Sequence, residues 1–123
     1  MSFFARLKKS TVQVNAEVKN LVGNMRFELV PMKSIEQAIL DLPAGAPVSV
    51  ICSPAKGISA TQELSARLIA SGHEVVPHFA ARLVESRNHV RQIASWVREH
   101  NVNEVFLIAG DEAQPSGPYF DSV

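Results

Sequence analysis

A single cysteine, Cys52, stands among 123 residues. One thiol can form neither an internal disulfide nor a cysteine-rich metal site, and this usage fits a reducing, cytoplasmic compartment. Net charge is lacking too: twelve basic residues balance twelve acidic ones, so nothing in the composition favours a nucleic-acid partner. The one local imbalance is Arg6, Lys8, Lys9 and Lys19 against Glu17 in the first twenty residues, which reads as a mildly basic, solvated arm. No apolar run approaches the roughly 20 residues of a membrane span. Met1–Arg6 has no apolar stretch long enough for a secretory signal. Neither a membrane partner nor a metal is expected. Glycine is sparse, at six residues, and none belongs to a dinucleotide fingerprint. Ser53-Pro54-Ala55-Lys56-Gly57 lacks the glycine-framed turn of a phosphate loop. Low-complexity segments and linkers are missing as well.

What the chain does have is regular punctuation. Residues 1–24 carry two loose apolar stripes, Phe3-Phe4-Leu7 and Val14-Val18-Val22, and are expected to form a helical extension ending near Gly23-Asn24. Met25–Val30 reads as a strand stopped by Pro31. Ser34 with Gln37 forms a capping-box pattern, and Ile35, Ala38, Ile39 and Leu42 line one helix face. Pro47–Cys52 is a second strand. Ser59 with Gln62 repeats the capping pattern, Leu64 and Leu68 carry the stripe, and Gly72 suits a helix end. Glu74–Pro77 is a third strand, ended by a proline that cannot donate to a ladder. Ser86-Arg87 opens a third helix, striped by Val90, Ile93, Ala94 and Val97, with Trp96 at its edge and Asn101 at its close. Glu104–Ala109 is the fourth strand.

Strands alternating with helices, with starts roughly 23 to 30 residues apart, are the mark of parallel βα units. The strands are nearly continuous apolar runs, as expected where both faces are covered. The predicted class is α/β, with about four parallel strands in sequential order forming a partial TIM-type βα barrel over residues 25–123.

In such folds the working residues sit at the carboxyl ends of strands. Those ends hold Glu28, Cys52, His78 and Asp111. Glu28 interrupts Phe27-Glu28-Leu29-Val30 and is expected to be desolvated, which raises a carboxyl pKa and suits a general acid. The plain alternative is an edge-strand glutamate facing water. His78, just past Pro77, and Arg82 in the following loop suggest a site for a polar or anionic ligand. A hydrogen-bonded core histidine is the competing reading. Asp111 follows Gly110, which permits close backbone approach or positive φ; by itself it could equally be a turn aspartate. Cys52 reads as a small buried residue.

Taken in order, Phe27-Glu28-Leu29-Val30-Pro31, Val48-Ser49-Val50, Val76-Pro77-His78 with Arg82, Phe106–Asp111 and Gly117-Pro118-Tyr119 resemble the 5,10-methylenetetrahydrofolate reductases. The resemblance covers about residues 25–123. It implies an eight-stranded βα barrel that binds FAD and passes a hydride from NAD(P)H to methylenetetrahydrofolate, giving 5-methyltetrahydrofolate. Glu28 then matches the catalytic general acid that opens the folate's five-membered ring. Asp111 matches the aspartate that contacts the pterin and influences the flavin. His78, Ile51, Ala109 and Gly110 fall at positions lining the flavin.

The chain departs from that pattern at several places. Leu29-Val30-Pro31-Met32 replaces an aromatic followed by two prolines. Ile51 stands where a threonine is common, and Ala109 where an arginine is common, so two polar flavin contacts become apolar. A complete barrel takes roughly 250 residues, and four strands make half of one. Half a barrel leaves unpaired edges at the strands of Phe27 and Phe106. Self-association or pairing with a second half-barrel is therefore expected. The alternatives are a non-catalytic folate-binding or interaction module without flavin, and a doubly wound domain.

Overall fold

A computed structural model describes residues 15–123. Phe3, Phe4, Leu7, Val14 and the basic cluster Arg6-Lys8-Lys9 lie outside the described residues. A helix over 15–24, here α1, leads into strand β1 (Phe27–Leu29). Helix α2 (Ile35–Leu40), strand β2 (Val48–Val50), helix α3 (Gly57–Ala70), strand β3 (Val75–Ala80), a 3-10 turn (Ala81–Leu83), helix α4 (Arg87–Glu99) and strand β4 (Phe106–Ile108) follow. All pairings are parallel and the order is β1-β2-β3-β4. No strand is inserted between two successive ones, so the sheet is not doubly wound. Four sequential parallel strands are compatible with part of a βα barrel.

The helix ends follow local chemistry. Ser86 caps α4, its hydroxyl accepting the His89 amide at 3.1 Å. Gly72, at φ +89°, closes α3 with paired bonds from its own amide to the Ile69 carbonyl (3.0 Å) and from the His73 amide to that of Leu68 (3.1 Å). Asn101, at φ +51°, closes α4 in the same way through the Arg98 and Val97 carbonyls.

Two capping boxes read from the sequence do not form. The Ser34 hydroxyl donates to the Met32 sulfur at 3.5 Å, not to its helix. Helix α3 starts two residues before Ser59, because the Lys56 and Gly57 amides already bond to the Ser53 carbonyl at 3.1 and 2.8 Å. The turn delivers a wound chain, and Ser59 falls inside the helix.

Strand β3 also differs from expectation. It runs through Pro77 to Ala80. Its first half pairs with β2 and its second with β4. The Glu74 carbonyl accepts from Val48, so residues 74 and 76 face β2 and Pro77 faces β4. Pairing to β4 begins only at His78, and the missing proline donor leaves no ladder bond unmade. The other strands are shorter than their apolar runs.

Register fixes which way each side chain points. Leu29, Val48, Val50 and Val75 pack with Ile35, Leu64 and Leu68 beneath α2 and α3. A second cluster joins Cys52, Ile58, Phe79, Ala80 and Val84, with Trp96, Ile93, Val97 and Tyr119 against it. Phe79 meets Trp96 edge-on at 6.2 Å between ring centroids. Surface ion pairs link Arg26 to Glu74 at 3.0 Å and Arg67 to Glu36 at 2.8 Å. Such exposed pairs contribute little. At β4, Val105, Phe106 and Leu107 are exposed, as expected for an edge strand that no element among residues 15–123 covers. No helix of the described residues is long and apolar enough to cross a membrane.

Candidate functional site

Side chains alternate along a strand. With Leu29, Val48, Val50 and Val75 under the helices, Glu28, Ser49 and Val76 lie in register on the opposite face. One pleat further along β3, His78 points the same way and pairs in register with Phe106. Their rings stand 4.9 Å apart, tilted by 57°. Ser49 is buried, whereas Glu28, on the edge strand, is exposed. The expected desolvation of Glu28 is therefore not present: Glu28 stands on the edge strand, whereas Ser49 and Val76, level with it on the same face, are buried.

The Glu28 charge nevertheless reaches His78. Partial burial lowers the His78 pKa from its ordinary value, and the Glu28 charge opposes that shift. This pair is what the ladder brings together from the residues singled out in the sequence. His78 sits within β3, not at its carboxyl end, because the strand continues past the proline. Asp111 is exposed at the start of the segment after β4. Ile108 is level with Ala80, so Asp111 stands well up the sheet from Glu28, and it is not among the charges acting on His78.

Arg82 ties the segment after β4 to the mouth. Its amide donates to the Ala109 carbonyl (3.0 Å), and its own carbonyl accepts from Ser116 (2.7 Å). Its guanidinium donates to the Glu112 carbonyl at 3.0 Å. The arginine is thus at least partly committed to holding backbone. Gly110 adopts φ +102°, and a Cβ there would come within 2.7 Å of the Glu112 carboxylate and 3.1 Å of the Ala80 Cβ. A Cβ on Gly117 would collide with the carbonyls of Val84 and Glu85. Both glycines let the segment lie flat.

Sequence reasoning passed over Glu112. Both of its carboxylate oxygens are buried without a hydrogen-bond partner in the protein. Its charge reaches Cys52, whose thiol is pushed up chiefly by burial. A raised thiol pKa leaves little thiolate, which agrees with Cys52 as a packing residue. Two consecutive carboxylates after a glycine were the available signal; only the fold chooses which turns inward.

The positions matched to a flavin offer it little. Ile51 and Ala109 carry no polar side-chain atom. The Ile51 carbonyl accepts from the buried Thr61 hydroxyl at 3.2 Å, and that of Ala109 accepts from Arg82. Only the His78 imidazole remains as a polar side chain among the matched positions, and it packs on Phe106. Among the described residues, no group of three or more His, Cys, Asp or Glu is arranged to hold a metal. Comparison with known protein families and with curated proteins finds no match to this chain.

Proposed function

We propose that the chain carries the first four βα units of a TIM-type barrel of the methylenetetrahydrofolate reductase kind, and that the sheet face opposite its helices handles a reduced folate. In the closed barrel Glu28 acts as general acid. It delivers a proton to a ring nitrogen of methylenetetrahydrofolate as the five-membered ring opens, and the resulting iminium carbon takes a hydride originating from NAD(P)H. Asp111 contacts the pterin. The observation carrying this reading is the placement of Glu28 and His78 on the face of a sequentially ordered parallel sheet that lies opposite its helices, beside a segment that Arg82 straps down.

FAD does not fit the matched positions as the family's flavin would require, since Ile51 and Ala109 supply no polar side chain. Nothing in the proposed chemistry runs through a flavin at these residues. With four strands the mouth lacks one wall, and hydride transfer needs donor and acceptor at near-contact distance. The chain alone is therefore expected to show no NADH-dependent reduction of methylenetetrahydrofolate. It should still bind 5-methyltetrahydrofolate in calorimetry, and Asp111→Asn should weaken binding about tenfold or more while far-UV circular dichroism is unchanged. Absence of binding at millimolar folate would remove the proposal.

In a protein carrying all eight strands, Glu28→Gln should abolish turnover with folate affinity kept within about threefold. Equal loss of affinity and turnover would make Glu28 a binding residue and not the acid. The exposure of Glu28 favours one second reading, a non-catalytic folate-binding module. Folate binding with full insensitivity of an eight-stranded form to Glu28→Gln would select it.

A further inference from the structure

Every residue of α1 (15–24) is exposed. A free ten-residue helix is marginal in water, yet this one carries an apolar stripe. Val18, Leu21, Val22 and Met25 recur at i, i+3, i+4 and i+7, and Leu21 is 65% exposed. At the far edge of the sheet lies the converse feature. A groove of about 640 Å³ runs along α4 and β4, lined by Phe79, Val90, Ile93, Val97, Val105 and Leu107 among others. Phe106 and Leu107 beside it are 54% and 50% exposed. Among the described residues, one molecule thus holds an apolar helix face without a seat and an apolar seat without a helix.

The two do not meet within one chain: no residue of α1 lines the groove. Edges β1 and β4 are three ladder spacings apart, about 14 Å, and α2 and α3 cover the sheet between them. Only Met25 and Arg26 join α1 to β1, so the last residue of α1 stays within about 11 Å of β1. Between two copies the geometry closes. Helix α3 joins β2 to β3 and packs on both. A β1 strand of a second copy, laid parallel against β4, brings its own α1 to the outer side of that pair in the same relation. That outer side is the groove.

We infer that two copies of this chain associate about a two-fold axis, β1 of each pairing with β4 of the other and α1 of each lying in the other's α4–β4 groove. The contact is isologous, so it uses both edges of each sheet that are left unpaired among the described residues, and it terminates at a dimer. Eight strands close into a barrel, which removes the exposed edges altogether. The inference rests on no part of the folate reading. Such a dimer supplies two first halves and not a second half, and it completes walls without completing a reductase.

The test is sedimentation velocity of the 123-residue chain from about 0.5 to 100 µM, with Leu21→Asp, Leu107→Asp and Leu40→Asp alongside. The parent should sediment at twice the chain mass of 13.4 kDa. Leu21→Asp and Leu107→Asp each place two carboxylates in the interface and should weaken the dimer by roughly a hundredfold or more, with circular dichroism of the monomer unchanged. Leu40, 76% exposed at the end of α2, lies off the contact, and its substitution should leave the dimer intact. A parent that stays monomeric at 100 µM, a dimer indifferent to Leu21→Asp, or open-ended polymers would each overturn the inference.

Discussion

Replacing Gly117 by alanine tests how firmly the segment after β4 is held over the candidate site. The new Cβ would strike the carbonyls of Val84 and Glu85, which are backbone atoms and cannot swing aside. Its cost is bounded from above, because the segment can let go of the sheet instead of compressing the contact. Letting go gives up the Ser116 amide to Arg82 carbonyl bond of 2.7 Å and the guanidinium bond to Glu112 of 3.0 Å. These are worth about 1 kcal/mol for the neutral bond and about 1.5 kcal/mol for the charged one. The partial burial of Tyr119 against the Phe79 cluster adds about 1 to 1.5 kcal/mol. The ceiling is therefore about 4 kcal/mol, and the effect is local opening and not global unfolding. Native-state hydrogen exchange separates the two. Ser116 should lose about a hundredfold in protection, since 1.4 kcal/mol is a factor of about ten, while the β2 amides stay within about threefold of the parent. Unchanged protection at Ser116 would show that the segment is not seated as described. Equal loss in β2 would show that it is integral to the core.

Two further outcomes follow from the packing and the titration of the sheet face. Leu68, on α3, is fully buried against the sheet in the first cluster, so Leu68→Ala should lower stability by about 2 to 5 kcal/mol. This would be read as a shift of the urea midpoint at constant slope by fluorescence of Trp96, and a shift of under about 1 kcal/mol would contradict the packing. His78 has its pKa lowered by burial from an ordinary 6.5, so the unfolded chain takes up that proton first as the pH drops. The His78 contribution to stability is complete above about pH 6.5 and is lost as the pH falls through the lower folded value. Thermal melts at a series of pH values should therefore show this acid-side loss in the parent and a flatter profile in His78→Gln. Identical profiles would mean that His78 is not desolvated on that face.

The order of elements was legible from residues read locally. Pro31, Pro43, Gly72 and Asn101 break the chain where their backbone preferences demand, and Ser86 caps α4 through its own hydroxyl. The apolar stripes of α2, α3 and α4 lie where their spacing places them, because helix periodicity depends on near neighbours alone. Sequential parallel strands follow from helical crossovers of this length, and so Glu28, His78 and Asp111 were picked out as residues of a sheet's working end.

Exposure and partnership depended on segments distant in sequence, and those the fold decided. Pro77 stays inside β3 because β4 begins pairing one residue later, a matter of register between strands about thirty residues apart. Ser34 and Ser59 carry capping residues and cap nothing, since Met32 takes one hydroxyl and the Ser53 turn starts α3 early. Glu28 faces water because its strand lies at the edge of the sheet, while Ser49, level with it one strand further in, is dry. Glu112 turns inward and Asp111 outward, and the Glu112 carboxylate lies where a Cβ on Gly110 would collide with it. Local chemistry determined where this chain bends and winds; which polar groups are dry, paired or free was determined by what the tertiary fold lays across them.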